Sequence, residues 1–266
     1  MPTMRPDGTC EAITVTPAYF AAGGWLQPSA LGQRRGSTLV AELASAAEHA
    51  PSVTLICQWN EWAGQPDGLS TGYVDIYNLT FSNDLEPVSP TECGGYQHAQ
   101  DAGQLPVCNQ GWGFANLGLL TAALRVYRGA VLEPLVRMDA PVDAATDGGW
   151  SFPAPVVTSA TVNVSWRVLG KAAAYELSIQ GVPSSLVKTH EPHGVLDLSQ
   201  LPDACWVIKV HAVSPSHHPH PVLASSSSSS SSSKHPAVPI ANAACQRQWG
   251  DGFGADDYLA VQLQRA

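Results

Sequence analysis

The sequence predicts an α/β region followed by an all-β region, and three observations predict this fold class. In residues 1–130, strand-like apolar runs alternate with amphipathic helical runs, an order that is typical of parallel α/β folds. Residues 131–155 are rich in Pro, Asp, Ala and Gly and are predicted to be a linker. Residues 156–266 contain short runs in which apolar and polar residues alternate, which predicts the half-buried strands of a β-sandwich.

The α/β region is predicted to begin with a strand and a helix. The run AITVTPAYF, Ala12–Phe20, is apolar and β-branched, which predicts a buried strand. Ser37 is predicted to cap a helix over Thr38–His49, and Pro51 ends it. The apolar stripe of this helix is predicted to contain Leu39, Leu43, Ala46 and Ala47.

A second strand and a second helix follow. The run SVTLICQW, residues 52–59, is apolar on both faces, as strands are in parallel sheets that helices cover. After a long loop over residues 63–111, the run GWGFANLGLLTAALRVYRG predicts a helix that ends near Gly129. Its predicted buried face contains Leu117, Leu120, Leu124 and Tyr127. The resulting order is the βαβα unit of a parallel α/β fold.

The all-β region repeats a period of two residues. Apolar side chains occupy alternate positions of three runs, so each predicted strand has one buried and one wet face. These positions are Val162, Val164, Trp166 and Val168; Tyr175, Leu177 and Ile179; and Trp206, Ile208, Val210 and Ala212. We therefore predict that residues 156–266 form an independent antiparallel sandwich with Trp166 and Trp206 in its core, each burying about 150–250 Å².

A biased segment at about residues 214–239 interrupts this region. Its serine run, Ser225–Ser233, cannot bury apolar surface and is predicted to be a disordered insertion. The nearby histidines have the chemistry of metal ligands, but their Pro- and Ser-rich setting favours a solvated loop, so no metal site is predicted. They are His217, His218, His220 and His235. Because QWGDGFGADDYLAVQLQ looks like a closing strand, the insertion is predicted to split a hairpin.

Charge and hydropathy exclude several classes of partner. The net charge is −9, and the 13 Lys and Arg residues form no basic run beyond Arg34 and Arg35. Nucleic acids and anionic membrane surfaces attract clustered cations, so neither is a predicted partner. No run of 18 apolar residues is present, so no transmembrane segment is predicted.

Cysteines and glycosylation sequons bear on the cellular compartment. None of the six cysteines forms a CxxC pair, which argues against a zinc site. Cys93 and Cys108 flank a polar loop and are candidates for a local disulfide, and Asn78 and Asn163 begin acceptor sequences for N-glycosylation. These features favour a secreted or cell-surface protein. The N-terminus lacks the pattern of a secretory signal, which then predicts that the chain starts late.

Polar residues crowd the carboxyl end of the second predicted strand. Gln58, Trp59, Asn60, Glu61 and Trp62 follow the apolar run SVTLIC, and catalytic groups of parallel α/β folds lie at such strand ends. Amides and a carboxylate bind hydroxyl groups, and indole faces stack on pyranose rings, so a sugar is the predicted ligand. The alternative is a packed strand end with Glu61 facing solvent, which the polar crowding disfavours.

The following loop adds carboxylates. Asp75, Asp84 and Glu86 come after Glu61, and glycoside hydrolysis commonly uses two carboxylates about 5–10 Å apart. For Asp84, turn formation is the alternative role. The predicted partner is an oligosaccharide or polysaccharide, with no cofactor. Glu61 is the catalytic candidate, and the substrate-binding candidates are Gln58, Trp59, Asn60, Trp62, Gln65, Asp75, Asp84, Glu86 and Tyr19.

Two short motifs resemble a known family. QWNEWAGQ followed by NDLEP resembles the WNEWxE and (I/L)EP elements of glycoside hydrolase family 99, the endo-α-mannosidases, and of their relatives in bacterial polysaccharide biosynthesis. The resemblance is specific over Gln58–Pro87 and looser over Ala12–Gly129. It implies a (β/α)8 barrel, with its last two βα units in residues 1–130, and a glycan ligand. Residues 156–266 resemble a fibronectin type III module through VNVSW, AYELSIQG, LDLSQL and CWVIKVHAV.

The chain departs from that family in two ways. The resemblance implies that Glu61 is the base that engages the sugar 2-hydroxyl and that Glu86 binds substrate, but Gly64 stands where the family has its general acid. A (β/α)8 barrel also needs at least ~200 residues, and residues 1–130 hold only two strands of barrel character. The chain is therefore expected to be the C-terminal piece of a longer enzyme, truncated or inactive as it stands.

Three functions remain open from the sequence. The first is a carbohydrate-active protein derived from a retaining glycosidase that acts on α-linked glycans. The second is a non-catalytic glycan-binding protein that uses the same aromatic and amide cluster without the acid. The third is a structural or adhesive surface protein in which the sandwich is the working part. Glycan binding and turnover separate the three.

Overall fold

The structure is a computed structural model that describes residues 2–18, 33–57, 59–60, 84–87, 93–94, 107–108, 114–139, 156–215 and 255–263. Strands predominate among these residues and two helices accompany them, which confirms the mixture of α/β and all-β structure at the level of fold class. The described residues form an open βα region and a two-sheet sandwich. The serine run and most of the predicted insertion lie outside the described residues.

The βα region contains the predicted parallel strand pair. Its elements are β1 (Thr3–Met4), β2 (Cys10–Val15), α1 (Ser37–His49), β3 (Val53–Ile56) and a second helix, α2 (Ala115–Tyr127). The sheet order is β1-β2-β3. β2 and β3 are parallel, with α1 between them in the chain, whereas β1 is antiparallel to β2. This is one βαβ unit, and a (β/α)8 barrel is not closed by the strands that the structure describes.

Strand β3 differs from its prediction. The sequence predicts a strand that is buried on both faces, but Val53 is 56% exposed and Leu55 is 54% exposed. β3 is an edge strand of the described sheet, and Val53 and Leu55 lie on the same, exposed face of it. Its other face packs toward the helices: Ile56 borders the core, and the Thr54 hydroxyl lies 2.7 Å from the Tyr127 hydroxyl on α2.

Both helices bury faces that are rotated slightly from those predicted. In α1, Leu39, Leu43 and Ala46 are buried as predicted, but Val40 is buried and Ala47 is exposed. In α2 the fully buried positions are Asn116, Leu119 and Ala123 rather than the predicted leucines, which are only half-buried. α2 packs against α1 and the edge of the sandwich through Leu119 and Ala123, while Asn116 donates a hydrogen bond to the Asp84 carbonyl.

The sandwich consists of two sheets. Its strands are β6 (Leu135–Met138), β7 (Val156–Val157), β8 (Thr161–Leu169), β9 (Ala174–Ile179), β10 (Val182–Thr189), β11 (His193–Asp197), β12 (Cys205–Val213) and β13 (Asp256–Leu263). One sheet has the order β10-β9-β12-β13-β7 and the other β11-β8-β6. All pairs are antiparallel except β13 with β7. The histidine- and serine-rich insertion therefore splits the β12–β13 hairpin, as predicted.

The predicted tryptophans lie in the sandwich core. Trp166 is 2% exposed and Trp206 is 5% exposed, which confirms their predicted burial. The Trp166 ring meets the Tyr175 ring edge to face, with centroids 5.2 Å apart, a favoured aromatic geometry. Cys205, at the start of β12, is disulfide-bonded, whereas Cys10 and Cys57 are free thiols. A two-stranded ladder, β4 (Cys93–Gly94) with β5 (Val107–Cys108), places Cys93 opposite Cys108, and their disulfide stays a prediction.

The sandwich begins earlier in the chain than the sequence indicates. Leu135–Met138, inside the predicted linker over residues 131–155, forms the edge strand β6 and pairs with β8. Its sequence LVRM was obscured by Arg137, a charged residue that is buried here. A further strand, β10, was also not predicted, because Pro183 and two serines interrupt its apolar pattern.

Four buried charged residues join the two regions. They are Arg35, which precedes α1, Arg137 on β6, Asp139 after β6 and Asp257 on β13, and each is at most 8% exposed. Arg137 Nη1 donates to Asp257 Oδ1 over 2.6 Å, and Arg137 Nη2 donates to the Arg35 carbonyl over 2.7 Å. Arg35 Nη1 lies 3.8 Å from Asp257 Oδ2. Two positive and two negative charges thus balance within the interface, as buried charges require.

The backbone before α1 is bent to fit this network. The φ angles of Arg34, Arg35 and Gly36 are 45°, 59° and 83°, a left-handed conformation that costs a non-glycine residue about 1–2 kcal/mol. Glycine is required at position 36 because a Cβ there would lie 2.2 Å from Leu119 Cδ2. Ser37, the predicted helix cap, instead donates its hydroxyl hydrogen to Asp139 Oδ1 over 2.6 Å.

The helices in the described residues are not suited to cross a membrane. Neither α1 nor α2 has the length and continuous apolar sequence that a membrane span requires, and the same holds for every helix in the described part of the chain. Both helices instead place an apolar side against the protein core.

Candidate functional site

The candidate site lies where β3 ends. The backbone amide of Cys57 donates to the Val15 carbonyl over 2.9 Å, so the pairing of β2 and β3 continues one residue past the strand. Trp59 and Asn60 come next after Gln58, and both are exposed. The other candidates from this stretch and its loop, Gln58, Glu61, Trp62, Gln65 and Asp75, together with Tyr19, lie outside the described residues, and their roles stay predictions.

Backbone hydrogen bonds bring the two motif segments together. The Trp59 carbonyl accepts from the Leu85 amide over 3.1 Å and from the Glu86 amide over 2.9 Å. These bonds satisfy two donors of the Asp84–Pro87 segment with one acceptor at the strand end. The two motifs WNEW and LEP are more than 20 residues apart in the sequence. These hydrogen bonds bring them together at Trp59 and Glu86.

A side-chain hydrogen bond joins the same two segments. Asn60 Nδ2 donates to Glu86 Oε2, although the two residues are 26 positions apart. Asn60 is exposed and Glu86 is half-buried. The bond joins the Asn60 amide to the Glu86 carboxylate, and the Asn60 amide oxygen adds an acceptor beside them.

The Asp84–Leu85 pair anchors the segment to the protein interior. Asp84 is 1% exposed and Leu85 is 3% exposed. Asn116 Nδ2, in the first turn of α2, donates to the Asp84 carbonyl over 2.8 Å. This buried position favours the turn-forming alternative for Asp84 over contact with a ligand. Leu85 supplies the apolar anchor and Glu86 carries the exposed chemistry.

Sequence reasoning did not identify Asn116 as a site residue. Its side chain anchors the Asp84–Pro87 segment by donating a hydrogen bond to the Asp84 carbonyl. The available signal was a single polar residue at the start of the otherwise apolar run ANLGLLTAAL. A buried amide in a helix needs a hydrogen-bond partner, so that signal predicts a contact but not the partner.

The arrangement is suited to binding a polyhydroxylated ligand. The Trp59 side chain is 54% exposed and presents a large flat surface. Beside it, the Asn60 amide and the Glu86 carboxylate supply a donor group and acceptors at fixed positions. Hydroxyl groups of a sugar match such groups, and an aromatic face matches the apolar face of a pyranose ring. Asp84 is buried and Glu86 is half-buried, so Glu86 is the more exposed carboxylate of this segment.

A second polar cluster lies on the sandwich, on β12 and β13. Asp256 Oδ1 lies 2.7 Å from His211 Nδ1 and 3.1 Å from Lys209 Nζ. Burial lowers the pKa of Lys209, but the hydrogen bond and charge of Asp256 outweigh it, so the net pKa is raised. These partly exposed groups satisfy one another, which is typical of a solvated sheet face. The Lys209 ammonium also lies 5.5 Å from the centroid of the Tyr258 ring, so the cluster is held by contacts among its own members.

The described residues hold no cluster of metal-ligand side chains. No group of three or more His, Cys, Asp or Glu residues suited to a metal ion occurs in the described ranges. The four histidines of the insertion lie outside them.

Comparison of the chain with protein-family models, curated proteins and solved structures gave no match. Function is therefore inferred from the geometry and chemistry of the site and from the motif resemblance.

Proposed function

We propose that the chain is a carbohydrate-binding protein related to glycoside hydrolases acting on α-linked glycans, and that it binds an oligosaccharide at the end of β3. One observation carries this proposal. Trp59 and Asn60 meet Leu85 and Glu86 through two backbone hydrogen bonds and one side-chain hydrogen bond. The segments that meet are those that resemble the WNEWxE and EP elements of the mannosidase family.

The exposure of these side chains favours a ligand-binding role over a structural one. Tryptophans that serve the core are buried, as Trp166 and Trp206 are at 2% and 5% exposure. Trp59 instead leaves more than half of its side chain in water. An exposed indole next to an ordered carboxylate–amide pair has no core to complete, and a sugar supplies both contacts.

Binding without turnover is the expected activity of this chain. Glu61 is proposed as the base that engages the sugar 2-hydroxyl, by the family resemblance. Gly64 replaces the family's general acid, and such proton transfer contributes typically 10²–10⁴-fold in rate. Glu86 is held by Asn60, a position suited to binding rather than to protonating a leaving group.

A secreted or cell-surface location is part of the proposal. The disulfide at Cys205 supports it, because structural disulfides persist in oxidising compartments. Asn163, an acceptor sequon position, is exposed on β8. A glycan ligand also fits a surface location, where polysaccharides are encountered.

The proposal is tested by titrating the chain with α-linked manno- and gluco-oligosaccharides. Trp59→Ala and Asn60→Ala should weaken binding, while Leu186→Ala is the matched control, since Leu186 is 47% exposed but lies on the sandwich. Absence of binding by the parent chain overturns the proposal. Binding that Leu186→Ala weakens and Trp59→Ala leaves unchanged would transfer the function to the sandwich.

Turnover is assayed beside a Glu61→Gln variant. We expect no release of reducing sugar above the rate of this variant, because the general acid is missing. Clear turnover that Glu61→Gln abolishes would show that the chain is a working glycosidase and that another carboxylate replaces the acid at Gly64.

A further inference from the structure

Phe114 is exposed without a structural role for its ring. It is 74% exposed, more than any other large apolar side chain in the described ranges. Its backbone starts α2, since the Phe114 carbonyl accepts from the Gly118 amide over 2.8 Å, and its side chain makes no capping hydrogen bond. The helix start therefore depends on the backbone of this residue and leaves the ring available for contact.

The start of α2, where Phe114 lies, is connected to the candidate glycan site by hydrogen bonds. Asn116 donates its side-chain N–H to the Asp84 carbonyl. The next residue, Leu85, donates its amide to the Trp59 carbonyl. Trp59 and Asn116, two residues after Phe114, are thus anchored to adjacent residues of one buried dipeptide, Asp84-Leu85.

We infer that Phe114 forms a second aromatic platform beside Trp59, and that the ligand is an oligosaccharide long enough to contact both rings. The inference rests on the proposed glycan-binding function. One aromatic face covers one sugar ring, so two faces at separate positions bind two units of a chain. Glu86 and Asn60 lie on the Trp59 side of the dipeptide, so the polar contacts define the first subsite and Phe114 extends it.

A scattered exposed apolar residue is the alternative reading of Phe114, because such residues are common on protein surfaces. Leu132 provides the matched control for this alternative. It is 70% exposed and follows the other end of α2, far along the helix from Asp84. If exposure alone matters, Phe114 and Leu132 behave alike.

The test is a set of nuclear magnetic resonance titrations that compare α-linked mannobiose with mannotetraose. The parent chain should bind the tetrasaccharide more tightly. Trp59→Ala should weaken both ligands. Phe114→Ala should leave the disaccharide within about twofold and weaken the tetrasaccharide roughly three- to tenfold, the range expected for one aromatic contact. Phe114→Tyr should restore tetrasaccharide binding, and Leu132→Ala should change neither ligand.

The outcomes separate this inference from the function on which it rests. If the parent binds neither ligand, both fail. If the parent binds and Trp59→Ala weakens binding, but Phe114→Ala matches Leu132→Ala for both ligands, the second platform alone is wrong. Equal weakening of both ligands by Phe114→Ala also overturns it, since Phe114 would then belong to the first subsite. Unchanged thermal unfolding of the variants shows that they are folded.

Discussion

The sandwich and the βα region both bury apolar strand faces, but the inward faces of the central sandwich strands are buried more completely than β3. In the sandwich, alternate residues of β8, β9 and β12 are buried between two sheets; Leu177 and Val210, for example, have no exposed area. In the βα region, β2 buries Ile13 and Val15, yet the neighbouring β3 leaves more than half of Val53 and Leu55 exposed. The closed region is a scaffold, and the open one holds the candidate site at the end of its exposed strand.

The difference also shows how the open region is stabilised. Its core includes Leu135 and Leu169, which belong to sandwich strands. The buried ion pair of Arg35 with Asp257 and the hydrogen bond from Arg137 to the Arg35 carbonyl cross the same boundary. The two regions therefore share an interface and should unfold together, although the sequence predicts an independent sandwich. Three predictions test this comparison, starting with the largest effect.

The largest effect is expected from Asp257→Ala. The change leaves Arg35 and Arg137 buried without their main counter-charge, and removal of one partner of a buried ion pair costs about 3–5 kcal/mol. Burial already lowers the pKa of Arg35 to about 10, against the opposing charge of Asp257, so this guanidinium stays charged at neutral pH. Urea unfolding measures the loss of stability.

Asp256→Ala is the control, one residue away on the same strand. Asp256 is 40% exposed and pairs with Lys209 and His211, and exposed ion pairs contribute about 0–1 kcal/mol. Equal losses for the two variants would contradict a special role for the buried network. Separate unfolding transitions for the two regions in the parent chain would contradict the shared interface.

A leucine comparison inside the βα region has the next largest expected effect. Leu43 on α1 has no exposed area, and Leu43→Ala should cost about 2–5 kcal/mol of unfolding free energy. Leu55 on β3 is 54% exposed, and Leu55→Ala should change it by less than about 0.5 kcal/mol. Chemical denaturation compares the two. A large loss for Leu55→Ala would mean that β3 is covered in solution.

The smallest effect concerns Glu42 on α1. Burial raises the pKa of this half-buried carboxyl, so the folded state binds the proton more tightly than the unfolded state. Stability therefore falls as pH rises through the raised pKa, and Glu42→Gln removes that loss. The variant should be slightly more stable than the parent near pH 7 and equal to it near pH 3.

Thermal unfolding across this pH range provides the measurement for Glu42. Glu48→Gln is its control, because Glu48 is exposed on the same helix. A stability gain for Glu42→Gln that persists near pH 3, or an equal gain for Glu48→Gln, would rule out the buried carboxyl as the cause.

The alternation of apolar and polar residues predicted correctly which strand residues form the sandwich core. The period of two residues identified Trp166, Leu177 and Trp206 as core, because the face of a strand is set by its own sequence. The same reasoning failed for Val53 and Leu55, because apolar content does not reveal whether a neighbouring layer exists. It also failed for β6, since the contacts of the buried Arg137 include Arg35 and Asp257, which are 102 and 120 residues away in the chain.

The candidate site shows the same limit. The motif resemblance identified Trp59, Asn60 and Glu86, but the hydrogen bond between Asn60 and Glu86 spans 26 residues and follows from the fold. Asp84 was grouped with the ligand-binding carboxylates, whereas its burial assigns it to the anchor of the segment. Asn116 and Phe114 gave only ambiguous local signals, since a polar or aromatic residue at a helix start has many possible causes.

The most direct test of the central claim is to follow indole N–H resonances during a titration with α-linked mannotetraose. The chain has eight tryptophans. The variants Trp59→Phe, Trp166→Phe and Trp206→Phe each remove one indole N–H signal and so assign the signals of these three residues. We predict that the Trp59 signal shifts in a saturable way while those of the buried Trp166 and Trp206 stay in place. A Trp59 signal that does not move, or shifts confined to Trp166 and Trp206, would contradict a glycan site at the end of β3.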